Sequence, residues 1–164
     1  MRILAFDQST NMSGYAVLED GAPATNGVLD FSGNKNTAAR IRDMFLSLVA
    51  LVDLWEPDLL AVEAVQNSGG EKTMLMLSQL QGMLIGYAYE HDIPVVSPMP
   101  VEWRKQLGFR QGPKVRREEL KEQSIAFIHE YFDMDLPEDA AEAMCIAFAT
   151  FKQQHYFEGE NANV

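Results

Sequence analysis

The segments LLAVE (59–63) and IPVVSP (93–98) are short and almost wholly apolar, and each follows a long helical pattern. A strand that is apolar on both faces must be covered on both faces, and flanking helices do this. The strand–helix–strand–helix–strand run from residue 28 to 98 therefore predicts parallel strands joined by right-handed crossovers. That pattern confines the chain to the α/β class, with its sheet between helices.

The covering helices have their own signatures. Over residues 37–55, Ile41, Met44, Phe45, Leu48, Leu51, Val52 and Trp55 recur at the helical period. Asn36 or Thr37 can cap that helix, and Pro57 forces its end. Met74, Leu77, Leu80, Leu84 and Tyr87 form the stripe of a second long helix, with methionine as core filling. PVEWRKQLG (100–108) reads as a short helix, 115–132 as an amphipathic one, and 134–157 as the last, with Pro137 near its first turn. Ahead of these, RILAFD (2–7), YAVLE (15–19) and VLDFS (28–32) are apolar runs separated by QSTNMSG and DGAPATNG, which are turns by composition. An antiparallel meander in front of parallel strands makes a mixed five-stranded sheet. We expect one domain over residues 1–157 and a frayed tail over 158–164.

At 164 residues the chain is long enough for one real core. Its single cysteine, Cys145, lies in an apolar helical pattern and reads as a small core residue. No stretch approaches the ~20 apolar residues of a membrane-spanning helix. The opening MRILAFDQST has too short an apolar run for a secretory signal. A cytoplasmic location without a membrane is expected.

The net charge of −11 argues, as a sum, against a nucleic-acid partner. The distribution argues otherwise. Residues 101–121 hold seven of the 13 basic side chains, Arg104, Lys105, Arg110, Lys114, Arg116, Arg117 and Lys121, against three acids. One basic strip thus lies on an acidic body. It is either a solvated helix face or a phosphate-contacting surface.

The acids fall at element ends. Asp7 closes the first strand and Glu63 the fourth, while Asp139 and Glu142 stand three apart on one helix face. If strands one and four are neighbours, Asp7 and Glu63 emerge side by side, and the last helix can bring the other two to them. Carboxylates crowded in this way repel unless a cation neutralises them. Hard oxygen donors suit Mg²⁺ or Mn²⁺, and a pair of such ions supports phosphodiester hydrolysis. A simple turn role is adequate for Asp7, and a helix N-terminal role for Glu138 and Asp139. Neither role explains Glu63 or Glu142.

Four pieces in order, ILAFDQSTNMSGYAVLE, LLAVEAV, LSQLQGMLIGYAYEHDIPVVSPMPVEWRKQLGF and EDAAEAMCIAFA, resemble the RuvC family of Holliday-junction resolvases, within the RNase H-like superfamily. The resemblance covers about residues 2–152. It implies an RNase H-like fold and a metal-dependent, structure-selective endonuclease that acts on branched DNA as a homodimer, with two Mg²⁺ or Mn²⁺ ions per active site and 5′-phosphate and 3′-hydroxyl products. It carries the four metal-binding acids onto Asp7, Glu63, Asp139 and Glu142, and the phosphate-gripping bases onto Lys105 and Lys114, with Lys114 in a catalytic role. The rest of the basic strip would contact DNA backbone. Two departures stand out. Glu142 replaces the usual Asp, and Gln66, followed by Asn67, stands where bacterial members place an aromatic residue at the open junction. Gln66 and Asn67 become the junction-contact candidates, and the pattern points to a divergent, phage-type member. FDQSTNMSG also resembles the first phosphate loop of sugar-kinase and actin-type nucleotide-binding modules, but the chain is too short for the paired domains of that group. A junction binder that does not cut is the other alternative.

Overall fold

The computed structural model describes residues 1–66 and 70–161, the last six of these by backbone alone. In chain order the elements are β1 (Arg2–Asp7), β2 (Met12–Glu19), β3 (Ala22–Asp30), α1 (Thr37–Trp55), β4 (Leu59–Val62), α2 (Glu71–Glu90), β5 (Val95–Val96), α3 (Pro100–Gln106), α4 (Arg117–Phe132) and α5 (Glu138–Asn161). The strands form one sheet in the order β3-β2-β1-β4-β5. β1–β2 and β2–β3 are antiparallel, whereas β1–β4 and β4–β5 are parallel. This is the expected mixed five-stranded sheet.

The meander is longer and tighter than the sequence reading had it. DGAPATNG is not a turn. Asp20 (φ 50°) and Gly21 (φ 84°) alone reverse the chain, and β3 starts at Ala22. Two consecutive positive φ values are what an Asp-Gly hairpin supplies, and they match the twist of the flanking strands. Pro23 is tolerated because β3 lies at the sheet edge, where a missing N–H costs no ladder bond. The pairing register shifts between Val17 and Leu18, opposite Thr25 and Pro23, and absorbs the irregularity. β2 likewise begins at Met12 rather than Tyr15. At the other end, α5 continues past residue 157 to Asn161, because each further residue adds a bond to a helix already nucleated.

Helices cover both faces. On one, Leu4, Phe6, Val17, Leu60 and Val62 pack against Met44, Leu48 and Val52 of α1 and Leu80, Leu84 and Ala88 of α2. On the other, Ile3, Ala5, Ala16, Leu18 and Ala61 pack against α5, which Trp103 of α3 and Ile128 of α4 cover from outside. Ala140 to Thr150 are eleven consecutive buried residues, so α5 is a helix enclosed all round. Cys145 is among them, as expected; burial pushes its thiol up, away from reactivity. Among the described residues no helix is long and apolar enough to cross a membrane.

The small side chains of α5 (Ala140, Ala141, Ala143, Ala147 and Ala149) let its backbone approach the sheet closely. The approach is tightest at Gly14 of β2. A Cβ there would lie 1.8 Å from the Asp139 carbonyl oxygen and 2.3 Å from its carbon. These are backbone atoms, so no rotamer change relieves the clash. Gly14→Ala is expected to push the first turn of α5 off the sheet and to cost about 3 kcal/mol, read as a lower urea midpoint at unchanged slope.

Candidate active site

The parallel register sets Phe6 of β1 opposite Val62 of β4, so the next residues, Asp7 and Glu63, leave adjacent strand ends. The Glu63 N–H donates to the Phe6 carbonyl at 3.2 Å and extends the ladder by one bond. On the other side Asp7 pairs with Gly14 of β2, and Gly14 is where the α5 backbone at Asp139 rests. Glu142 follows one helical turn later and is 6% exposed. Strand ends supply two acids and a helix start supplies the other two.

Their electrostatics show how close the four stand. The Asp7 carboxyl is raised well above the usual carboxylate range, first by burial and then by the charges of Glu63, Glu142 and Asp139, with Lys121 opposing. Glu63 is raised to about 7, chiefly by burial. The Trp103 hydrogen bond and the charges of Arg104 and Arg117 pull it back, and Glu142 pushes it further up. Among the described residues no three acids, imidazoles or thiols form a finished ion cage. Protein groups hold two of the acids. The Trp103 indole N–H donates to Glu63 Oε1 at 2.8 Å, and Arg104 donates to Glu142 Oε1 at 2.9 Å. The side-chain amides of Gln8 and Gln81 both donate to the Glu63 carbonyl, at 2.5 and 3.0 Å.

The basic strip divides. Arg104 turns inward to Glu142 and lies over the Trp103 ring at 4.7 Å, so it faces the acids rather than open solvent. Lys121 pairs with Glu138 in the first turn of α5, and its charge is felt at Asp7. Arg117, at the start of α4, acts on Glu63. Arg110 and Arg116 both pair with Glu119 on the surface. Lys105 and Lys114 are exposed and make no ion pair among the described residues. Lys114 sits in the loop before α4, beside Arg110, Gln111, Pro113 and Val115. Arg104 is thus the base in contact with one of the four acids, Lys121 and Arg117 act on Asp7 and Glu63 through their charge, and Lys105 and Lys114 make no such contact among the described residues. Spacing could not separate them, because which side of α3 and α4 faces the site depends on how those helices pack on α5. Gln66 is exposed beyond β4, and Asn67 lies outside the described residues.

Gly14, Gln8, Gln81 and the contacts of Trp103 were not singled out as site features from sequence. Trp103 packs into the body, at 1% exposed.

A mixed sheet in this order, with an acid after each of its two central parallel strands and two more on a covering helix, defines the RNase H-like nuclease class. The chain belongs to the crossover junction endodeoxyribonuclease RuvC family, whose model matches residues 3–150. It is therefore an endodeoxyribonuclease of the junction-resolving kind, and the nucleotide-binding reading of FDQSTNMSG is set aside. The RuvC crossover junction endodeoxyribonuclease of Thermomicrobium roseum is 26% identical over 155 residues, covering 93% of both chains. That of Pelobacter propionicus is 28% identical over 169 residues, covering 94% of this chain and 88% of the relative. Among solved structures, T. thermophilus RuvC in complex with Holliday junction substrate shares the fold with a TM-score of 0.74 at 16% identity, covering 94% of this chain and 96% of that one. The Fowlpox virus resolvase in complex with Holliday junction DNA gives a TM-score of 0.66, also at 16% identity, covering 94% and 99%.

The raised carboxyls set a pH dependence. An acid that ionises less readily when folded costs stability as pH rises, from its unfolded value up to its folded one. For Glu63 that window runs from 4.5 to about 7. Asp7→Asn removes the charge that the other three acids oppose. In chelator it should melt close to the parent at pH 4 and on the order of 5 °C above it at pH 8. An equal difference at both pH values would refute the crowding.

Proposed function

We propose that this chain cuts branched DNA, four-way junctions foremost, by metal-dependent phosphodiester hydrolysis, working as a cytoplasmic homodimer. The observation that carries the reading is that Asp7 and Glu63 leave adjacent strand ends while the α5 backbone at Asp139 rests on the ladder partner of Asp7, and the charges of Glu63, Asp139 and Glu142 act on that half-buried carboxyl. Four crowded carboxylates with no imidazole or thiol among them fit Mg²⁺ or Mn²⁺. Asp7, Glu63, Asp139 and Glu142 would together hold such ions, with Asp7 central to the cluster. When bound, such a pair activates water and stabilises the departing 3′-oxygen, leaving a 5′-phosphate.

The chain's own groups do the rest. The strand ends and the start of α5 fix the direction from which phosphate can approach. Lys121, Arg117 and Arg104 offer positive charge where the phosphate gathers negative charge. Lys114 and Lys105, free at the surface, suit backbone contacts further along the DNA, with Arg110 and Arg116 beside them. Gln66 would lie toward the branch point. Support for the dimer comes from α2, whose exposed Leu75, Met83 and Tyr89 share a stripe with exposed Gly82 and Gly86. An isologous pairing along that stripe would offer two sites to two symmetric strands.

With a labelled four-way junction and Mg²⁺ or Mn²⁺, the parent should give paired nicks ending in 5′-phosphate. Asp7→Asn and Asp139→Asn should lose at least ~10³-fold in rate while still retarding the junction in gels. Binding without cutting by the parent, across both metals, would identify a silent junction binder instead. Lys121→Met should lower the single-turnover rate by ~10²-fold or more, and Lys114→Met should chiefly weaken binding and flatten its salt dependence. The reverse pattern would return the catalytic role to Lys114.

A further inference from the structure

Glu63 is held at both ends. Its N–H donates to Phe6 O, and its carbonyl accepts from Gln8 and Gln81. Its carboxylate receives the indole N–H of Trp103 on Oε1 at 2.8 Å. The donor cannot follow the acid. Trp103 is 1% exposed within the α5 core, lies edge-on to Phe109 with ring centroids 5.8 Å apart, and carries the Arg104 guanidinium on its other flank. The helix that carries it is tied to α5 by the Gln106 side-chain bond to Ala149 O. A glutamate at the end of a strand has three side-chain torsions to settle, and here a rigid ring settles them.

We propose that Trp103 is a positioning residue of the active site: its indole N–H holds Oε1 of Glu63 and leaves Oε2 aimed at the cation. This rests on the reading that Glu63 holds a divalent ion. One oxygen is spent on the indole and one is kept, so Glu63 binds through a single oxygen in a preset rotamer. The neighbouring Arg104 holds Glu142 Oε1 in the same manner. Two successive residues of one short helix thus orient two acids that come from different elements. The N–H bond matters to ion binding and not to packing, which makes the two roles separable.

The probe is Mn²⁺, titrated into the full chain in a Trp55→Phe background. Trp55 lies beside Arg2, at the far end of β1 from Asp7, so its removal leaves the site alone. Trp103 emission should then change saturably with Mn²⁺, and the change should vanish with Asp7→Asn. By calorimetry in the otherwise native chain, Trp103→Phe should raise the Mn²⁺ dissociation constant about tenfold, the loss typical of a hydrogen bond to a charged group. In cleavage the metal half-saturation should rise by the same factor, and the rate at saturating metal should move less than twofold. Should Trp103→Phe lose its fold, a benzothienylalanine at position 103 keeps the ring and removes only the N–H, and the same tenfold shift is expected. Unchanged Mn²⁺ affinity in either variant, with the parent binding normally, overturns the positioning role and leaves the metal site standing. A parent that binds no Mn²⁺ overturns the site itself, and the positioning role with it.

Discussion

The first turn of α5 lies against β2 with only the hydrogen atoms of Gly14 between two backbones. That contact decides where Asp139 and Glu142 stand, because Gly14 is the ladder partner of Asp7. The alanine-rich sequence behind it keeps α5 close along its length, so the position is held by a buried helix and not by a loop. A larger residue at Gly14 would not merely loosen packing. It would separate the two halves of the acid cluster.

Crowding carboxylates at the half-buried strand ends opposes stability, and the raised carboxyls of Asp7 and Glu63 register that opposition. The fold withstands it because hydrophobic layers on both sheet faces hold the strand ends and α5 in place. Part of the charge is also met locally. Arg104 is bonded to Glu142, Trp103 to Glu63, and Lys121 stands near Asp7.

The basic strip shows how linear charge counting misleads. Seven cations within 21 residues look like one surface, yet they serve three different surroundings. Arg104 is bonded to Glu142, Arg117 and Lys121 act on the acids through their charge, Arg110 and Arg116 are engaged with Glu119, and Lys105 and Lys114 are open to solvent. Their separation follows from the packing of α3 and α4 around α5, which turns one side of each helix toward the site.

Much of the architecture was legible in the residues, for a physical reason. Short all-apolar strands need cover, helical stripes supply it, and alternation of the two leaves few topologies open. Glu63 and Glu142 stood out as candidates too, since an acid that closes an apolar strand or lies in an apolar helix has no cheap structural purpose. The Asp-Gly reversal at residues 20–21 was present in the sequence and was obscured by the proline and glycine that follow, because nothing local says that β3 is an edge strand. What tertiary structure alone decided is contact between distant segments: Gly14 with Asp139, Trp103 with Glu63, Arg104 with Glu142. Those pairs lie from 38 to 125 residues apart in the chain, and no local preference relates them. Residue types and periodicity determine which elements form and which groups can do chemistry. Only the packing of α5 and its two covering helices determines which of those groups meet.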